Sequence, residues 1–175
     1  DVASIGPDYI PGHGHADVLS FELSLFGKRV IVNSGTSIYG VSSERHNQRS
    51  TLSHSTVVID EKNSSEVWGG FRVARRANVL NVKTKQSDND IEVSACHDGY
   101  KRLKGKPIHN REWIISKNEI IIKDKITGKG IHRISSILPL HPEVSIINTQ
   151  DNSVELEVNG KSVKVVFEGP GKLQI

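Results

Sequence analysis

From Asp17 onward apolar and polar residues alternate with a period of two, the mark of strands with one buried face. No window of a dozen residues carries a 3.6-residue repeat. Leu19, Phe21, Leu23 and Leu25 alternate with Val18, Ser20, Glu22 and Ser24, which predicts a first strand with its odd-numbered face in the core. The same pattern predicts strands at 29–33, 54–60, 67–73, 79–85, 91–97, 108–116, 119–126, 132–140, 144–147, 154–158 and 163–167. Asn159-Gly160 lies between two alternating runs and predicts a type I′ hairpin, because that turn needs positive φ at both central residues. Lys117-Asn118 and Gly128-Lys129-Gly130 mark two further strand connections. Many short strands with closely spaced turns and no helix predict an all-β fold, an antiparallel β-sandwich forming one domain over residues 1–175. Residues 39–53 break the rhythm. They are polar, include Arg45, His46, Asn47, Gln48 and Arg49, and read as a surface loop with a functional task.

Composition changes this picture little. With 35% hydrophobic and 25% charged residues the chain has the make-up of a globular protein, and no apolar run approaches the roughly 20 residues of a membrane span. A chain that opens on Asp1 and contains no methionine is expected to be the remainder of a longer translation product. The net charge of +3 would tolerate an acidic polymer without demanding one, and leaves nucleic acid and acidic polysaccharide equally open. The single Cys96 excludes an internal disulfide and sits in an alternating stretch, where a thiol acts as a small buried hydrophobe.

The densest polar cluster is Gly12-His13-Gly14-His15-Ala16-Asp17. On an extended strand His13, His15 and Asp17 would share a face with Leu19 and Phe21, projecting two imidazoles side by side. A His-x-His pair on one rigid element needs only one or two further groups to close a zinc site. Asn33 and His54, at the ends of the predicted second and third strands, are candidate partners. Asn33, before Ser34-Gly35, equally has the make-up of a turn residue that bonds its own backbone. A cupin arrangement fails on register: Glu22, the first glutamate downstream, would lie on the opposite face of a regular strand from His15.

In order and spacing, several segments together resemble the carboxy-terminal region of the heparinase II/III-like proteins. They are the Gly12–Asp17 cluster, Ser20-Phe21-Glu22-Leu23, Gly27-Lys28-Arg29-Val30-Ile31-Val32-Asn33-Ser34-Gly35-Thr36, and the run from Arg49-Ser50-Thr51-Leu52-Ser53-His54 to Asp60. The likeness is dense over 12–60 and looser afterwards, at Trp68, His97-Asp98-Gly99-Tyr100, Arg111 and Leu138-Pro139-Leu140-His141-Pro142. Those proteins are polysaccharide lyases in which an α/α toroid precedes an antiparallel β-sandwich. The resemblance implies β-elimination beside a uronic acid, with His13 in the catalytic cleft and His15, Asn33 and His54 at the positions of zinc ligands. Position 33 is Asn where the family has Asp, and an amide carbonyl is the weaker zinc ligand, so His15 and His54 are expected in either a metal site or a hydrogen-bonded cluster.

By the same resemblance the principal tyrosine and its Asn or His partner reside on the toroid, so this chain alone is expected to be inactive. The partners it implies are acidic polysaccharide and that toroid, rather than nucleic acid or membrane, and the implied setting is periplasmic or secreted in bacteria. Arg45 and Arg49 are candidates to bind substrate carboxylate or sulfate through paired guanidinium donors, and Tyr39 to line the cleft. Tyr9 flanks the same region, and Tyr100 reads as structural. Trp68 reads as a core aromatic or a sugar-stacking one, and Lys101–Lys106 as a solvated hairpin loop in preference to a polyanion-guiding patch.

Overall fold

The computed structural model describes residues 1–175. In chain order its elements are β1 (Leu23–Leu25), β2 (Lys28–Ile31), α1 (Ser43–Arg49), β3 (Val57–Ile59), β4 (Val67–Trp68), β5 (Arg72–Val73), β6 (Val79–Gln86) and β7 (Asp90–His97). They continue with β8 (Ile108–Ser116), β9 (Ile120–Thr127), β10 (Ile134–Ser136), β11 (Ser145–Gln150), β12 (Ser153–Val158) and β13 (Lys161–Val166). All pairing is antiparallel: a four-stranded meander β6-β7-β8-β9, a three-stranded meander β11-β12-β13, and the pairs β1-β2, β3-β10 and β4-β5. This is the all-β sandwich that the period-two pattern predicts. Asn159 and Gly160 both have positive φ, 50° and 72°, as the predicted hairpin requires.

Two apolar clusters fill the interior. Ile5, Val18, Leu19, Ala77, Ala95 and Trp113 form one, and Val30, Ile31, Val154, Leu156 and Val158 the other; Phe21 packs against both and joins them. Burying such side chains stabilises the fold by about 1.5–3 kcal/mol each. Cys96 is buried as expected, with its thiol directed at the Leu80 carbonyl.

The inward face of the four-stranded sheet carries an unusual polar strip. Its register sets Val93, Trp113 and Ile122 in one cross-strand row, Ala95, Arg111 and Asp124 in the next, and His97, His109 and Ile126 in the third. Alternation therefore aims Arg111 and His109 at the interior, with Asp124 across from one and diagonal to the other. Arg111 donates to both Asp124 oxygens at 2.7 and 2.8 Å, and its other Nη reaches the carbonyls of Leu19 and Ser55. That guanidinium ties the sheet to the two loops that carry the site.

Four predicted elements differ most, and the predicted 54–60 strand is cut to Val57–Ile59, which leaves His54 ahead of it. The first strand starts at Leu23, because Leu19 has a left-handed backbone (φ 62°) and the chain turns there, with the Ser20 amide bonded to the Asp17 carbonyl. His13, His15 and Asp17 therefore do not lie on a strand face. Residues 67–73 form a tight hairpin rather than one strand, turning at Gly69-Gly70; a Cβ on Gly70 would come within 2.5 Å of the Gly40 carbonyl oxygen, so only glycine lets these loops touch. Within 132–140 only Ile134–Ser136 is a strand, and Leu140 meets β2 through a single bridge to Ile31 beyond Pro139.

The fourth difference is α1, inside the presumed surface loop. Ser42, extended at φ −151°, caps it by accepting the Arg45 amide at 3.0 Å, and Glu44 in the first turn and Arg49 in the last suit the helix dipole. Its buried positions are Arg45 and Arg49, four residues apart on one face. A helix that buries arginines instead of leucines shows no hydrophobic period.

Candidate active site

The site is assembled by lacing two irregular segments together. The Ala16 amide donates to the Arg49 carbonyl at 2.9 Å, Thr51 Oγ1 to the Ala16 carbonyl at 2.8 Å, and Thr56 Oγ1 to the Val18 carbonyl at 2.9 Å. Arg49 completes the seam by donating Nε and Nη2 to the Gly14 carbonyl at 3.1 and 3.0 Å. These bonds bring His15 beside His54, with ring centroids 5.3 Å apart. They also leave an open cavity of about 680 Å³, lined among others by Tyr9, His13, His15, Asp17, Asn33 and Thr36.

His13 is exposed at this cavity and braced by two aromatics. It meets Tyr39 and Phe71 edge-on at 5.9 Å each, while those two rings stack on one another with only 9° between their planes. Tyr39 is 61% exposed, an aromatic free to meet a ligand beside His13. Phe71 escapes detection in the sequence, since nothing in its local pattern places it opposite residues 13 and 39.

Arg45 and Arg49 are not surface groups. Both are fully buried, and no carboxylate lies within salt-bridge distance of either. Arg45 donates Nε to the Gly70 carbonyl at 3.2 Å and Nη1 to Thr36 Oγ1 at 2.9 Å, with its guanidinium near the Tyr39 and Phe71 rings. Its Nη2 is buried without a partner. Arg49 spends its remaining donors on the Gly69 and Arg72 carbonyls. The expected surface loop is instead a helix with both arginines buried: they clamp the neighbouring loops and place two positive charges without a carboxylate partner behind the cavity. Burying unpaired charge is costly, so this arrangement favours an anion in front of it.

His15, Asp17 and His54 form the third feature. Their potential ligand atoms lie within 4.8 Å of one another. His54 is completely buried, and neither ring nitrogen has a hydrogen-bond partner. Burial, then Arg45 and Arg49, push the His15 imidazole down to about 4. Burial and then His15 push His54 down to about 4; the Gln48 carbonyl pulls weakly the other way without meeting hydrogen-bond geometry. Both rings are thus neutral at pH 7, the form that binds metal. Burial raises the Asp17 carboxyl, against the pull of its own backbone amide. Orphaned imidazole nitrogens beside a second imidazole and a carboxylate fit a zinc-type donor set. Asn33 reaches the rim of the same cavity, but its Oδ1 accepts the Gly35 amide at 2.9 Å, the local turn that its sequence context also suggests.

Other candidates fall elsewhere. Trp68 is about half exposed (49%), with Arg72 over its ring at 4.7 Å, and so is not a core aromatic. Tyr100 is buried, with its hydroxyl on the Val57 carbonyl at 2.8 Å, a structural role. Of the basic run 101–106, Arg102 turns inward to the carbonyls of Asn63, Ser64 and Gly99, while Lys101, Lys104 and Lys106 are exposed. No helix is long and apolar enough to cross a membrane.

A family model described as Heparinase II/III-like, C-terminal, matches residues 1–175. No curated protein and no solved structure matches the chain.

Proposed function

Because the chain belongs to the heparinase II/III-like family, as the C-terminal domain of that group of polysaccharide lyases, we propose that it supplies one wall of an active site that cleaves uronate-containing polysaccharide by β-elimination. The observation that carries this reading is the pair of buried guanidinium groups, Arg45 and Arg49, with no carboxylate partner, directly behind a cavity that presents His13. An acidic sugar chain is the ligand whose charge they would offset.

In the elimination a base takes the proton at C5, the electron pair forms the C4–C5 double bond, and the C4–O4 bond breaks as O4 acquires a proton. His13 is the one imidazole of the cluster exposed at the cavity beside aromatic rings. It would hydrogen-bond the uronate carboxylate or pass a proton there, since an imidazole can both donate and accept. Tyr39 would give a sugar ring a flat surface to pack on. A toroid domain would contribute the opposite wall and the remaining acid–base groups, so the two domains form a split site. His15 and His54 would hold zinc, which when bound adds a fixed positive centre behind His13. We place this chemistry in a periplasmic or secreted setting, where acidic polysaccharides are met.

The test is to add glycosaminoglycans and alginate-type uronans to the chain, measuring binding by calorimetry and the unsaturated product by its ultraviolet absorbance. Salt-sensitive binding without turnover is expected, and His13→Ala should weaken it. Turnover by this chain alone overturns the split-site reading. Binding that is indifferent to His13→Ala points instead to a carbohydrate-binding sandwich without a catalytic part.

A further inference from the structure

We propose that Asp17, rather than Asn33, supplies the anionic ligand that completes the metal site with His15 and His54. This rests on the reading that the two histidines hold a metal. It goes beyond that reading by naming which third group does so when the position expected to bear a carboxylate bears an amide.

Three observations converge. Asp17 lies two residues beyond His15 at the turn before Leu19, and its carboxylate belongs to the set of ligand atoms within 4.8 Å of one another. His54, fully buried with both ring nitrogens unpartnered, marks the spot where a group is wanted. Asn33 has its side-chain oxygen committed to the Gly35 amide at 2.9 Å. Turning it toward a metal would break that turn and add no charge.

Electrostatics decide between the two. Arg45 Nη1 stands 3.4 Å from His15 Nε2, and Arg49 is clamped to the carbonyl of the intervening Gly14. A dication held by two neutral imidazoles and a neutral amide would face both guanidinium groups with no anion among its ligands. A carboxylate offsets that repulsion, and Asp17 is the acidic side chain in the cluster. Three protein ligands of this kind, two imidazoles and one carboxylate, are a recognised zinc donor set with a fourth position open.

Cobalt(II) is the probe, because its visible bands report coordination without any assay of activity. The whole chain is titrated with cobalt chloride and followed by absorption, with far-ultraviolet circular dichroism as the check on folding. The wild type should give intense bands of low coordination number, and His15→Ala with His54→Ala should abolish them. Asp17→Asn should weaken affinity by about tenfold or more, since even groups that only orient a ligand cost 10–100-fold. Asn33→Ala should bind like the wild type. Asp17→Cys should bind cobalt with a new thiolate-to-metal charge-transfer band, placing position 17 in the coordination sphere. Normal affinity in Asp17→Asn together with loss in Asn33→Ala overturns the assignment of Asp17 while leaving the histidine site standing. So does a cobalt-loaded Asp17→Cys protein without the new band. Failure of the wild type to bind, or binding that survives loss of both histidines, overturns the underlying metal reading and this inference with it.

Discussion

Arg111 and Arg45 are both buried guanidinium groups in the same small protein, yet Asp124 meets the first with two hydrogen bonds while the second faces only a carbonyl, a hydroxyl, an imidazole and two aromatic rings. The histidines divide in the same way. His97 Nδ1 accepts the Gly99 amide, so its Nε2 donates to His109 Nδ1 at 3.2 Å, and His109 Nε2 donates to Asp124 at 2.7 Å. The ring of His54, equally buried, bonds to nothing. The network around Arg111 has its side-chain nitrogens and oxygens paired and holds the sheet to the loops, whereas the cluster around Arg45 and His54 has atoms left over that a group from outside the chain could meet. Completeness of pairing, rather than residue type or burial, separates the structural cluster from the site.

The largest effect should come from breaking the complete network. Asp124→Ala leaves Arg111 buried and uncompensated, and should cost about 3–5 kcal/mol in urea unfolding. Burial pushes the Asp124 carboxyl up, but the hydrogen bonds of Arg111 and His109 outweigh it and hold the group well below the ordinary range. A loss under 1 kcal/mol, roughly the worth of a surface pair, would dissolve the distinction.

Acid is the next lever. His15 and His54 titrate near 4 and His97 near 3 in the folded chain, against 6.5 when unfolded. Their folded values are depressed, so between those limits the unfolded chain binds more protons and stability falls as pH drops below 6.5. The melting temperature of the metal-free protein should decline from pH 6.5 toward 4, and replacing both His15 and His54 with Ala should flatten part of that slope. A slope unchanged by the replacement would mean that the site histidines are not held neutral.

A matched pair of substitutions sharpens the contrast. His109→Leu strands His97 Nε2 and one contact of Asp124, and should cost about 1–3 kcal/mol. His54→Leu removes two buried nitrogens that already lack partners, and should be neutral or stabilising without metal. Equal losses in calorimetric melting would refute the division. The smallest effect belongs to the surface: a double-mutant cycle on the exposed Glu22–Arg29 pair should give about 0.5 kcal/mol, weakening with salt.

Much of this was readable along the chain. Strand β8 runs over the predicted residues, and the hairpin at Asn159-Gly160 has the predicted backbone, since alternation and turn chemistry are local. The cluster at 13–17 and His54 were visible as chemistry but not as geometry. Helix α1 was hidden, because its buried face is Arg45 and Arg49. Phe71 was hidden as a partner, because contact across dozens of residues joins it to the site; Asp17 was visible beside His15, but its approach to His54 was not.

By itself the sequence determined the all-β character, the turns and the inventory of imidazoles, each a consequence of backbone geometry over a few residues. Only the tertiary structure decided which polar groups are buried with partners and which without. The Ala16–Arg49 and Thr56–Val18 seams, the Gly40–Gly70 contact and the Arg111 ties are long-range, and burial is a property of the packed whole. The unpaired state of Arg45 and His54 exists only once those seams have closed.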